Sequence, residues 1–148
     1  MSETRLHLVA HVAGRGVLFD ATQVDSVVDL PEIVPTPGAP ATIRGLAALR
    51  SRVATVIETR RVLGLADDRE AGRRGVVTMV DGHLYAVAVD TLEDVSTLAI
   101  APTPAGMALD GGWSAVRGIA DGDGETLMVL DLKRLIELAG EQTAEPAR

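Results

Sequence analysis

Arg44-Gly45-Leu46-Ala47 recurs 73 residues later as Arg117-Gly118-Ile119-Ala120, and at the same offset Val56-Ile57-Glu58-Thr59-Arg60-Arg61-Val62-Leu63 matches Val129-Leu130-Asp131-Leu132-Lys133-Arg134-Leu135-Ile136. Upstream, Pro35-Thr36-Pro37 and Pro102-Thr103-Pro104 correspond at a slightly different offset, as an indel leaves. Two blocks sharing one offset mark an internal duplication. In the second copy Asp121-Gly122-Asp123-Gly124-Glu125 separates two apolar runs, as a hairpin turn does. By equivalence Arg50-Ser51-Arg52 is also a hairpin tip, basic where its counterpart is acidic.

Working outward from this stretch, a period of two dominates. Leu6, Leu8, Ala10 and Val12 share one face of an extended segment, and His7, Val9 and His11 share the other. Gly14-Arg15-Gly16 reads as a turn, and Val17–Phe19 and Val24–Leu30 as strands. Pro31, Pro35, Pro37 and Pro40 cannot donate to a ladder, so that stretch is a loop. Gly45–Leu49 and Val53–Ile57 are strands, and Arg60–Leu63 a short helix ending at Gly64. Residues 67–75 read as a charged connecting loop.

Gly75–Val80 and Leu84–Val89 flank Asp81-Gly82, which suits the positive φ values of a type I′ turn. Asp94–Ile100, Ala115–Ala120 and Thr126–Leu130 complete the strands. Leu132, Leu135, Ile136 and Ala139 follow helical spacing, with Asp131 as N-cap and Gly140 as stop. The tail 141–148 lacks an apolar pattern and reads as disordered.

The expected fold is all-β: two intertwined five-stranded units, each a small barrel, at about residues 15–75 and 76–135. The N-terminal strand is free to cross to the second, and the C-terminal helix packs on both. Neither unit alone buries enough surface. Residues 1–140 form one domain on this reading.

A chain of 148 residues buries roughly 68–70% of its unfolded surface, enough for one ordinary domain. With three aromatics (Phe19, Tyr85, Trp113), its core rests on Val, Leu, Ile and Ala. The absence of cysteine excludes disulfides, thiolate metal sites and cysteine nucleophiles. A net charge of −7 argues against nucleic acid. No run reaches the ~18 apolar residues of a spanning helix, so a cytoplasmic setting without membrane insertion is expected.

Chemistry has few candidates. His7 and His11 lie about 13 Å apart on a strand at ~3.3 Å per residue, too far to share an ion. The 121–125 segment opens like a calcium loop, but Thr126 stands where Gly is needed and Leu132 where the closing Glu belongs. No nucleophile elbow or phosphate loop is present, so no catalytic, cofactor or metal residues are assigned. Charge is uneven instead. Arg44, Arg50, Arg52, Arg60 and Arg61 against Glu58 leave +4 on residues 44–61, and −11 on the rest of a chain totalling −7. Either this is a solvated edge or it docks an acidic partner.

The run Ile43–Arg60 resembles the signature of CheW-like domains, approximately G-hydrophobic-x-N-L-R-G-x-hydrophobic-P-V-hydrophobic-D-L-R. Phe19–Val27 looks like the family's strand–turn–strand, with Val24 and Val27 at its apolar positions. Val76–Val95 is similar to its second-half hairpin, with Val89-Asp90 and Glu93-Asp94-Val95 in place. Val116–Ile119 and Leu130-Asp131 resemble its closing strand and helix entry. The resemblance spans about residues 4–140.

It implies two SH3-like barrels and a non-enzymatic adaptor, monomeric when isolated. Such an adaptor joins chemoreceptor tips to the CheW-like regulatory domain of a CheA-type histidine kinase, with the receptor in the groove between barrels and the kinase at the barrel ends. The partner-binding residues it implies are Arg50, Arg44, Gly45, Arg52, Val24, Val27, Val89 and Asp90. Ala48, Ser51, Ala54 and Thr59 depart from the family's Asn, Gly, Pro and Leu. Losing Gly after the arginine puts strain or an altered turn at the tip.

Overall fold

Two hairpins of one design organise the chain. In the computed structural model, which describes residues 3–66, 72–103, 111–122 and 124–143, β1 (Glu3–Val12) and β2 (Arg15–Asp20) pair antiparallel, with Val12 opposite Arg15. β7 (Arg74–Val80) and β8 (His83–Val89) pair likewise, with Val80 opposite His83, an offset of 68. Both turns carry positive φ at two central residues: Ala13 (53°) and Gly14 (78°), then Asp81 (52°) and Gly82 (82°). That is the type I′ pattern. The first turn is thus Ala13-Gly14, one residue ahead of the expected position.

A second hairpin type also occurs twice. β5 (Ile43–Leu49) pairs with β6 (Arg52–Ile57), and β10 (Val116–Gly122) with β11 (Glu125–Leu130). A bulge sits between Ile43 and Gly45, and its sister between Val116 and Gly118. Both glycines are required by close backbone approach. A Cβ on Gly45 would meet the Val34 carbonyl oxygen at 2.2 Å, and one on Gly118 the Ala101 carbonyl oxygen at 2.8 Å.

The sheets do not divide the chain near residue 75. A closed barrel runs β1-β2-β11-β10-β9, where β9 is Thr91–Pro102. The other sheet runs β3-β7-β8-β6-β5-β4, with β3 at Ser26–Asp29 and β4 at Ile33–Val34. The expected boundaries of 15–75 and 76–135 are therefore corrected: β2 joins the barrel of β9–β11, and β7 and β8 join the sheet of β3–β6. Each repeat's leading hairpin is exchanged into the other's sheet. The join is parallel both times, Met128 beside Val17 and Thr55 beside Tyr85.

The second sheet has six strands because its closing strand is broken. β9 alone reaches both β1 and β10, whereas β3 pairs only with β7 and β4 only with β5. Pro31, lying between β3 and β4, lacks the N–H that continuation would need.

The main core lies between the sheets. Leu8, Val17, Phe19 and Leu130 from the barrel meet Ile57, Val76, Val87 and Val89 from the sheet. Helix α2 (Leu132–Thr143) adds Leu132, Leu135, Ile136 and Ala139, and α1 (Thr59–Val62) adds Val62. Smaller clusters fill each sheet's interior. Asp131 accepts from the Lys133 and Arg134 amides at 3.1 and 3.4 Å, as an N-cap does. The helix continues past Gly140, the expected stop, to Thr143. Gly140 does not adopt positive φ, and Arg134 pairs across it with Glu141 at 2.8 Å.

Candidate docking clefts at the barrel ends

The bulge at Gly45 aims Arg44 inward, and this decides which arginines remain available. Arg44 Nε and Nη2 each donate to Glu58 at 2.7 Å, and Nη1 donates to the Gly72 carbonyl at 2.7 Å. Glu58 is buried. Such a saturated bidentate pair is structural, so Arg44 is not a support for a partner contact. Gly45, buried beneath β4, offers no surface either.

Arg60 is withdrawn in the same way. Its Nη2 donates to Asp90 Oδ2 at 2.7 Å, and the Ala13 amide donates to that oxygen at 2.8 Å. Asp90 thus ties α1 to the β1–β2 turn at the crossing between sheets. Val89 is fully buried in the main core. Both face inward, and since the +4 already nets Arg44 against Glu58, Asp90 removes one further charge and leaves Arg50, Arg52 and Arg61.

Of the three left, Arg61 sits on α1 with an interaction of its own, and Arg50 and Arg52 stand at the tip. Both are exposed and make no hydrogen bond or ion pair among the described residues. Leu49 pairs with Arg52, so Arg50-Ser51 is a two-residue tip. The positive φ falls on Arg50 (60°), and Ser51 has none. Strain expected at the Ser51 position therefore sits one residue earlier, on the arginine itself.

The tip overhangs a cleft of about 590 Å³, lined by β3, residues 48–52, Pro31, Val77 and Leu84. It brings Arg50 and Arg52 together with Val27, which is 43% exposed. Val24 lies elsewhere, in a groove of about 430 Å³ formed by residues 22–25, residues 78–81 and Lys133. Exposed Met79 shares that groove. It runs between the sheet's β7 and the start of α2.

The barrel has its own version of the tip cleft, about 430 Å³, lined by Glu93, Asp94, Ser96, Thr97 and Leu98 with Glu125 and Leu127 opposite. At the hairpin offset of 68, Asp25–Asp29 maps onto Glu93–Thr97, and at 73 Arg52 maps onto Glu125. The two clefts are equivalent in the duplication but differ in charge: Asp25 and Asp29 balance Arg50 and Arg52 in the tip cleft, whereas Glu93, Asp94 and Glu125 leave the barrel's cleft acidic. Sequence reading missed the acidic one, because the 73-residue offset aligns the hairpin tips but not Asp25–Asp29 with Glu93–Thr97. His11 braces it, with Nδ1 3.1 Å from Glu93 and Nε2 2.9 Å from Glu125.

Residues 7–140 match the family model for the CheW-like domain. The chain belongs to the CheW-like domain family. It is 21% identical over 123 residues to the chemotaxis protein CheW of Thermotoga maritima, covering 83% of this chain and 82% of that one. In shape it is similar to the scaffolding protein TtCheW of Thermoanaerobacter tengcongensis, with a TM-score of 0.77 and 24% identity. That likeness spans 91% of this chain and 94% of the other. This agrees with the all-β CheW-like architecture. Among the described residues, no helix is long and apolar enough to cross a membrane.

Proposed function

We propose that this CheW-like chain is a non-enzymatic cytoplasmic adaptor in chemotaxis signal transduction. It couples the CheW-like regulatory domain of a CheA-type histidine kinase to chemoreceptor tips. The observation that carries this reading is the pair of equivalent clefts, one tipped by the unpaired Arg50 and Arg52 and the other lined by Glu93, Asp94 and Glu125. A partner built on the same two-barrel plan presents the same two ends, so the arginine tip of one meets the carboxylates of the other when such domains abut. Free guanidinium groups at Arg50 and Arg52, beside exposed Val27, supply a charged rim around an apolar contact. The groove of Val24, Met79 and Val80 between β7 and the start of α2 suits an apolar helical tip, with Asp25, Asp81 and Lys133 setting its register.

The names of the relatives, a chemotaxis protein and a scaffolding protein, favour the same reading. The departures at Ala48, Ser51, Ala54 and Thr59 favour a second one, in which the partner is a different kinase or regulator outside a receptor array. Titrating the chain with a CheA-type regulatory domain and, separately, with a receptor-tip fragment distinguishes them. Micromolar binding of both supports coupling, and Met79→Asp then weakens only the receptor arm. Binding of neither, with a different kinase captured instead, supports the second reading.

A further inference from the structure

His11 stands between two carboxylates that line the acidic cleft. Its Nδ1 lies 3.1 Å from Glu93 Oε1 on β9, and its Nε2 lies 2.9 Å from Glu125 Oε1 on β11. The ring is largely covered, with 24% of its side chain exposed, while both carboxylates are nearly half exposed. A neutral imidazole carries one N–H, and its other nitrogen only accepts. A carboxylate also only accepts, so a neutral ring suits one of these contacts and turns a lone pair toward the other. The imidazolium, with an N–H on each nitrogen, suits both.

The neighbouring groups leave this balance to the three side chains. Among the described residues, β9 supplies Glu93 and Asp94 to the cleft, β11 supplies Glu125, and β10 supplies only Gly122. On β2, Gly16 lies opposite His11, and a Cβ there would meet Glu125 Cδ at 3.2 Å. Arg15 beside it turns to Trp113, its guanidinium 5.5 Å from the ring centre. The Asp90 amide donates to the His11 carbonyl at 2.9 Å, but its carboxylate Oδ2 is engaged by Arg60 and the Ala13 amide. The duplication confines the arrangement to one end. His11 maps onto Met79 at the offset of 68, and Glu125 maps onto Arg52 at 73, so the arginine tip has no such ring.

We propose that His11 makes docking at the acidic cleft proton-dependent. This rests on the adaptor reading above, in which a partner's arginine meets Glu93, Asp94 and Glu125. Three carboxylates carry −3, and the imidazolium reduces this to −2 while engaging two of them. An arriving guanidinium competes for the same oxygens and displaces the His11 proton, so binding strengthens as pH rises. Histidines change charge between about pH 5 and pH 8, a range in which carboxylates and guanidinium groups keep theirs.

The test titrates the full ¹⁵N-labelled chain with ethylguanidinium, an arginine surrogate, at about pH 6 and about pH 8 and constant ionic strength. Saturable shifts of the Glu93, Asp94 and Glu125 amides should report binding at least about fivefold tighter at the higher pH. Release of one proton caps the gain at about tenfold per pH unit. Ring ¹H–¹⁵N spectra should show His11 losing its second ring proton as ethylguanidinium is added at the lower pH. His11→Gln should bind equally at both, and His83→Gln, on the β7–β8 hairpin, should keep the wild-type difference. A CheA-type regulatory domain, titrated by calorimetry, should follow the same order. Its failure to bind at either pH, with the ethylguanidinium response intact, counts against the adaptor reading alone. Equal affinity of either ligand at the two pH values, tighter binding at the lower one, the same difference in His11→Gln, or ethylguanidinium shifts that never saturate would overturn the proposal.

Discussion

Replacing Arg50 by glycine should stabilise the fold and weaken partner binding at once. Arg50 holds φ = 60° at a solvent-exposed tip. A left-handed conformation costs an L-residue about 1–2 kcal/mol. Glycine removes that cost but adds unfolded-chain entropy worth about 0.4–1 kcal/mol. The net gain is roughly 0.5–1 kcal/mol, and with about 2–4 °C per kcal/mol at this size the melting midpoint should rise by about 1–4 °C. Binding moves the other way. An arginine at a desolvated contact is worth about 2 kcal/mol or more, so affinity for the kinase's CheW-like domain should fall at least tenfold at ~1.4 kcal/mol per decade. Arg50→Ala keeps the strain and loses the guanidinium, so it should weaken binding equally with an unchanged midpoint. Calorimetric titration and thermal melts of the three proteins decide the matter. A lower midpoint for Arg50→Gly with affinity within twofold of wild type would refute both halves of the reasoning: the strain and the contact.

Three further outcomes are expected. Arg44→Ala leaves buried Glu58 without its partner and should cost about 3–5 kcal/mol, whereas joint replacement by Arg44→Met and Glu58→Leu should recover most of it in urea melts. Leu135→Ala opens a cavity beneath α2, where Leu135 is fully buried, and should cost about 2–5 kcal/mol; an unchanged midpoint would remove the helix from the core. Burial alone would raise the Asp20 carboxyl, but Thr22 hydrogen bonds and the charges of Arg5 and His7 outweigh it and hold its pKa below 3.8. A depressed folded pKa stabilises above the unfolded value and is lost as pH falls through the folded one. Asp20→Asn should therefore be less stable than wild type at neutral pH, and the gap should close on acidification below about pH 4.

Local chemistry made much of the molecule legible in the sequence. Alternating Val, Leu and Ala marked the strands because one face must be buried, and Asp81-Gly82 marked its turn because few residues tolerate positive φ twice running. Asp131 announced α2 by the oxygen it offers the first turn. The duplication was visible wherever both copies keep the same backbone need, as at Gly45 and Gly118. Tertiary structure decided what depends on partners distant in the chain. Pairing of β2 with β11 and of β6 with β8 joins segments more than a hundred and about thirty residues apart, and no local pattern records which edge a hairpin chooses. It chooses the one that buries Phe19, Val87 and Val89 in a core shared by both sheets. The same holds for charge. Arg44, Arg50, Arg52 and Arg60 look alike in sequence, but Glu58 and Asp90 neutralise two of them across the fold. The pair at the tip forms no ion pair among the described residues and is left to meet a partner.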